Sequence, residues 1–433
     1  MHMERYKDIA LQAVERLKRA GANKAECFLS LQEIEEVSYE YGKFTLMRTY
    51  NEPAIRLKAI QDGRTGVVQI KSLEKDAVQD AVASCMAAVK ASEQDPFEDI
   101  APRMESVVAS AGVFTPDLPR LIDRLVQFRE DAAREFPRVA VEMVGTYVRW
   151  RRVYANSNGI CHEYDSGSYQ IYTGFTGREG ENSTNFGCGS RCTLHTLDQR
   201  IIDLCDVRTQ MQRAVDQLYP QRRNEKFVGP VVFTESMSAY CLGTLLNINN
   251  GSDLISGIAR WKDAIGTEVV DPRITLNSSV SDSRILTACP FTADGYPSAD
   301  CTLIENGILK MLPLNRYTAA KTGLRRADND LGGNILQAGD QSFEELIAGI
   351  EKGLLVGRVS GTYPDFSGEL AGVAKNSFYI ENGKIVHPVT ETMISGNLFD
   401  MFRRVRGISK TQVADGSSVF PCVAVDGVTI VMK

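Results

Sequence analysis

Ile55-Arg56-Leu57-Lys58-Ala59-Ile60-Gln61-Asp62-Gly63-Arg64-Thr65-Gly66-Val67-Val68-Gln69-Ile70 alternates apolar and polar residues, turns at Asp62-Gly63-Arg64 and resumes as an apolar run. Apolar runs flanking a polar turn that contains Gly predict a β-hairpin. Directly behind it, Leu73 to Ala91 carries Ala77, Val78, Ala81, Val82 and Cys85 at helical spacing, which predicts one long helix. A hairpin followed by a helix sets an α+β pattern, and its flanks extend it. Upstream, Glu4 to Arg19 is an amphipathic helix closed by Ala20-Gly21-Ala22-Asn23, and Cys27 to Leu31 is a short strand. Downstream, Ser92 to Pro102 is an acidic connection with two prolines. A helix over Pro119 to Phe136 follows. Strands over Val139 to Tyr154 and Tyr169 to Thr176 flank a turn at Asn156-Ser157-Asn158-Gly159, with another strand near Cys192 to Leu194 and a helix over Gln199 to Leu218.

Pro220-Gln221-Arg222-Arg223-Asn224 reads as a boundary. Beyond it, short β-like runs alternate with Gly, Asn, Asp and Pro turns, and two helices interrupt. One covers about Met237 to Asn247. The other runs from Phe343 to Lys352 behind Ser342, with Glu345 in place for a capping box. Asn306-Gly307 and Asn382-Gly383 each separate apolar runs and supply the two positive-φ positions of a type I′ turn, so both predict hairpin tips. The expected fold class is α+β, in two domains: an α+β domain over 1–220, with mixed or antiparallel sheet and helices, and a β-rich domain over 221–433.

With 433 residues and 47.8 kDa the chain is long for one domain, and its composition, 43% hydrophobic and 24% charged, is that of a globular protein. A formal net charge of -6, without a Lys/Arg stripe, argues against direct nucleic-acid contact. No apolar run approaches the roughly 20 residues needed to span a bilayer, and the N-terminal helix lacks the apolar core of a signal peptide. The expected setting is therefore cytoplasmic, with no membrane contact. The ten cysteines are expected there as free thiols.

Candidate chemistry is sparse. Cys188, Cys192 and His195 have C-x3-C-x2-H spacing with Cys205 following, but alternation along a strand would turn His195 away from the two thiols, so inert buried thiols are the expectation. His162-Glu163 begins like the zincin H-E-x-x-H, but Ser166 stands where the second His should be. His162 is therefore expected as a strand residue at a surface. No G-x-S-x-G elbow or P-loop is present. Gly187-Cys188-Gly189 and Gly332-Gly333 read as turns, and the pairs Glu179/Glu181 and Glu344/Glu345 as solvated faces.

Several strings, in order and spacing, resemble the TldD/PmbA family over nearly the whole chain. They are Asp62-Gly63-Arg64-Thr65-Gly66, Asn156-Ser157-Asn158-Gly159, Thr302 to Lys310, Ala338-Gly339-Asp340, Tyr379 to Val389 and Ser395-Gly396-Asn397-Leu398. The family was once described as modulators of DNA gyrase and is now regarded as a two-subunit metalloprotease. The resemblance implies two chains that pair around a chamber where an unfolded or leader peptide is cut. In the catalytic subunit, TldD, a helix carries H-E-x-x-x-H and a late cysteine completes the zinc site. Aligned on Gly229-Pro230-Val231-Val232-Phe233, the six motif positions here read Gly243-Thr244-Leu245-Leu246-Asn247-Ile248. Gly243, Thr244 and Ile248 therefore stand where two metal ligands and the base would be, and Cys422 falls several residues past the place of the late cysteine. Leu242-Gly243 before Leu245-Leu246 and the Ser395 to Leu398 string are similar to the partner subunit, TldE or PmbA.

The resemblance thus implies a chain with no catalytic residue, metal ligand or cofactor of its own, zinc residing in a TldD-like partner, and either a heterodimer with that partner or a homodimer when alone. Two other readings stay open: a protein-binding regulator of the gyrase-modulator type, and a self-sufficient peptidase using ligands such as Cys188, Cys192 and His195.

Overall fold

The structure, a computed structural model, describes residues 2–184, 188–330 and 332–433. Residues before 220 supply α1 (His2–Arg19), β1 (Lys24–Glu40), β2 (Lys43–Gln61), β3 (Arg64–Ile70), α2 (Lys75–Ala91), β4 (Val108–Gly112) and α3 (Leu118–Glu135). These are followed by β5 (Val139–Asn156), β6 (Cys161–Glu179), the two-residue β7 (Asn182–Ser183), β8 (Cys188–Leu194) and α4 (Val207–Asp216). The strands form one sheet in the order β3-β2-β1-β5-β6-β4, with β8 beside β6. All its long pairings are antiparallel; β4 lies parallel to β6.

The predicted hairpin is β2–β3, with Asp62 and Gly63 at φ 52° and 73°. The helix behind it packs closely, since a Cβ on Gly66 would lie 2.2 Å from the Cys85 carbonyl oxygen. Period-2 alternation divides the faces of the sheet. Cys27, Leu29 and Leu31 of β1 join Leu57 and Val153 beneath α1 and α2. Their neighbours Glu26 and Phe28 point the other way, with Tyr154 and His162, toward Phe291. One face of the sheet is thus covered by its own helices, and the other by a segment from the second half of the chain.

The helix expected over Gln199 to Leu218 is broken. Ile201–Asp203 is a single 3-10 turn, Cys205 sits at φ 46°, and α4 starts only at Val207. The break is held by Asp206, which accepts from Ser190 Oγ at 2.6 Å and Gln210 Nε2 at 2.7 Å. The same turn brings Cys205 to β8, where it forms a disulfide with Cys192. That corrects the expectation of ten free thiols; the other eight are free. Cys188 and Gly189, expected in a turn, belong to β8, and Gly187 lies outside the described residues.

The second half supplies β9 (Glu225–Phe233), α5 (Glu235–Asn247), α6 (Gly251–Ile255), β10 (Leu276–Ser278), β11 (Cys301–Glu305), β12 (Ile308–Leu309), α7 (Arg316–Thr322) and β13 (Asn334–Leu336). These are followed by α8 (Phe343–Ala348), β14 (Lys352–Thr362), β15 (Glu369–Glu381), β16 (Lys384–Pro388), β17 (Met393–Asn397), α9 (Leu398–Met401), β18 (Val405–Ala414) and β19 (Ser418–Met432). The sheet runs β12-β11-β10-β13-β19-β17-β15-β14-β9, and β9 pairs back onto β19. Five strands, β9, β14, β15, β17 and β19, therefore close into a ring. Val231, Phe233, Leu354, Val356, Val423 and Val425 pack with α5 in the largest core of the chain, and Val232, Leu355 and Ala424 pack with Leu346 and Ile347 of α8.

Both Asn-Gly tips are hairpins with paired positive φ: 48° and 80° at Asn306-Gly307, 51° and 72° at Asn382-Gly383. The capping box forms as expected, Ser342 Oγ accepting from Glu345 N and Glu345 Oε2 from Ser342 N. Its helix is shorter than expected, because Lys352 already opens β14. The fold class is α+β.

Candidate functional site

The helix at the motif position is α5, which follows β9 directly. Met237, Cys241, Leu242, Leu245 and Leu246 make its buried stripe against the ring. Gly243 lies off that stripe. A Cβ there would meet nothing within 4 Å, and the position opens onto a cavity of about 560 Å³ lined by Asn250, Asn315 and Asp330 among others. Thr244 Oγ1 donates to the Tyr240 carbonyl at 2.8 Å. Ile248, just past the helix end, is 8% exposed within the same core as Trp261.

The two positions matched to histidines thus face different surroundings, one a polar cavity and the other hydrocarbon. Glycine, a hydroxyl spent on its own helix and an isoleucine offer zinc no imidazole or carboxylate. Cys422 sits on β19, 1% exposed, and burial pushes its thiol well above the ordinary range. Among the described residues no group of three or more His, Cys, Asp or Glu side chains is placed to hold a metal ion. The family's zinc does not fit the residues present.

The other residues singled out in the sequence do not converge either. Cys188 and Cys192 share the buried face of β8, as alternation requires, but Cys192 is bonded to Cys205. Cys188 is raised by burial to about 12. His195 lies against Gly112 at the far end of the strand. Glu179 pairs with Arg138 and Tyr219 at the surface, and Glu345 is occupied in its capping box.

His162 corrects its expectation outright: it is fully buried, not at a surface. The reason is the face of β6 it occupies, which is covered by residues 291–295. Its ring lies between Tyr154, 5.9 Å away, and Phe291, 5.1 Å away. Nδ1 accepts from Val107 N at 2.9 Å, so Nε2 carries the proton toward Gly295 O at 3.1 Å. A second proton would set N–H against N–H, and burial lowers the pKa below the ordinary 6.5. The native ring therefore stays neutral while the unfolded chain protonates. Its contribution is complete above about pH 6.5 and is lost as pH falls below that value toward the lower native pKa. Urea midpoints measured as pH is lowered below about 6.5 should fall, and His162→Gln should flatten that fall. The burial-lowered His195 leaves a residual slope of the same sign.

What the sequence did not reveal is a cleft between the two sheets, about 570 Å³ in volume. Tyr172 and Arg191 line it from the first half, and Glu235, Tyr240, Arg358 and Asp415 from the second. It is bordered by two strand edges. β8 is paired through β6 on one side alone, and β14 beyond Gly357 through β15 alone; among the described residues no strand pairs with the other edge of either. Thr193 N of β8 donates to the Asp415 carbonyl at 2.8 Å, and the edges on either side of that bond can pair with an extended chain of any sequence. Signals for this existed in the apolar runs of both strands, but which edge stays free depends on pairings far away in sequence.

An α+β chain with this closed ring has the fold of a known class. Residues 226–432 match the family model described as PmbA/TldA metallopeptidase C-terminal domain. The C-terminal domain match and the relatives that follow point to the TldD/PmbA family as the one this chain is similar to. Metalloprotease PmbA of Escherichia coli O157:H7 is 22% identical over 419 residues, 90% of this chain and 89% of that protein. A metalloprotease of Methanothermobacter thermautotrophicus is 33% identical over 169 residues, 36% of this chain and 37% of that protein. Among solved structures, TldE from Thermococcus kodakarensis superposes with a TM-score of 0.79 at 21% identity, covering 97% of this chain and 100% of its own. A candidate modulator of DNA gyrase from Bacteroides thetaiotaomicron does so with a TM-score of 0.84 at 19% identity, over 99% of both chains. At these identities the structures speak to the fold alone.

Proposed function

We propose that this chain is the metal-free subunit of a cytoplasmic TldD/TldE-type zinc metalloprotease, assembling with a zinc-bearing chain and helping to hold an unfolded or leader peptide for cleavage. The observation that carries the reading is at the motif helix. The fold that surrounds it is intact, while Gly243, Thr244 and Ile248 occupy the positions matched to the zinc ligands and the base. Loss confined to the groups that perform chemistry is what a supporting subunit would display. The strand edges of β8 and β14 along the cleft supply a sequence-tolerant way to hold an extended peptide. The two separate sheets also support 1–220 and 221–433 as the folding units.

The alternative of a self-sufficient peptidase through Cys188, Cys192 and His195 is weakened by the disulfide at Cys192 and the distance of His195 from the thiols along the strand. Direct DNA contact is disfavoured by the net charge of -6. Among the described residues no helix is long and apolar enough to cross a membrane.

Elemental analysis tests the metal assignment. Purified alone, the chain should hold no stoichiometric zinc, whereas about one tightly held zinc per chain would overturn the reading.

A further inference from the structure

Arg213, on α4, is a buried cation without an anion. It is 8% exposed, and its Nη1 is buried with no hydrogen-bond partner. Among the described residues no carboxylate lies within ion-pair distance of it. A buried guanidinium nitrogen left without a partner is unfavourable, and an apolar residue of similar size would avoid that. The guanidinium lies in a pocket of about 430 Å³ between α4 and the outer face of the barrel, walled by Phe136, Phe343, Leu355, Phe378 and Ile385.

The other charges nearby are committed. Arg208 is held by Glu135 and Asp203, and Asp216 accepts from Gln212 at 2.7 Å. Glu235 lines the separate cleft and interacts with the Cys422 thiol. The neighbouring thiols of Cys188 and Cys422 are kept neutral by burial. The pocket therefore combines one cation without an ion-pair partner, apolar walls, and a polar margin on α4 that includes Thr209, Gln212 and Asp216.

We infer that this pocket receives the C-terminal carboxylate and last apolar side chain of a peptide. The carboxylate pairs with Arg213, and the side chain lies among Phe343, Leu355 and Phe378. A bare phosphate would satisfy the charge but leave the walls unfilled, and an apolar chain without an acid would leave Arg213 unpaired. This rests on the reading that the chain holds peptides and adds to it a preference for one end.

The test uses the full chain alone, with no partner and no cleavage, and reads fluorescence anisotropy of a labelled hexapeptide ending in phenylalanine, as the free acid and as the amide. The acid should bind roughly tenfold or more tightly than the amide, as expected for a charge-assisted hydrogen bond in a buried site. Arg213→Gln should erase the difference. So should Ile385→Glu, an exchange at a rim residue 41% exposed, which brings a competing carboxylate without disturbing the core. 3-Phenylpropanoate should displace the peptide and inorganic phosphate should not. Equal binding of acid and amide, full discrimination retained in both variants, or equal displacement by phosphate would overturn the pocket while leaving peptide holding intact. No binding of either peptide at millimolar concentration would overturn both.

Discussion

Tyr154→Ala is expected to lower the unfolding free energy by on the order of 4–5 kcal/mol and to separate the urea transition into two steps. Tyr154 is fully buried on β5, with Phe28 and His162 as its register partners on β1 and β6. Its hydroxyl donates to Glu26 Oε2 at 2.7 Å, and Glu26 is itself 4% exposed. Removing a fully buried aromatic side chain costs roughly 3–5 kcal/mol through lost transfer energy and the cavity left behind. The lost donor to a buried carboxylate adds roughly 1 kcal/mol or more.

The ring also touches the other half of the chain. Gly295 sits at φ 86°, and a Cβ there would lie 2.2 Å from the ring, so the two halves meet at van der Waals distance around Tyr154. Emptying this space removes packing that couples the sheets, which is why loss of cooperativity is expected beyond loss of stability. Tyr154→Phe keeps the ring and gives up the hydroxyl alone, so it should cost about 1–3 kcal/mol and keep a single transition. Equilibrium urea unfolding followed by circular dichroism and by intrinsic fluorescence checks both variants. A single unshifted transition for Tyr154→Ala would contradict the placement of this ring.

Local signals carried much of the fold. The hairpin at Asp62-Gly63, the two Asn-Gly tips and the Ser342 capping box depend on a few adjacent residues, and each formed where its residues stand. The failures have one physical source, since each depended on partners distant in sequence. The closure of β9 onto β19 joins residues some two hundred positions apart and cannot be seen in either strand. His162 reads as an exposed strand residue until Phe291 and Gly295 are known to cover that face of the sheet. The helix over Gln199 to Leu218 has acceptable periodicity throughout, and its break at Cys205 is fixed by Ser190 on another strand. At the motif helix the residue identities were legible, but the separation of Gly243 and Ile248 into a cavity and a core needed the packing.

The second large effect concerns activity. Peptide hydrolysis near neutral pH needs an activated water and a stabilised oxyanion, and a zinc ion supplies both by lowering the pKa of bound water to about 7 and polarising the carbonyl. This chain offers no ligand set for it on α5. Restoring the motif as Gly243→His, Thr244→Glu and Ile248→His should not create activity. An imidazole at Ile248 would point into the hydrocarbon around Trp261, away from the cavity beside Gly243, and no neighbouring group is in place to orient it.

A peptidase assay on unfolded peptide, run with this chain alone, with a zinc-bearing paralogue alone, and with the two mixed, each with and without chelator, tests the central claim most directly. The account predicts background rates for this chain alone and cleavage in the mixture that depends on both chains and is abolished by chelator. Chelator-sensitive cleavage by this chain alone, free of contaminating protease, would contradict it.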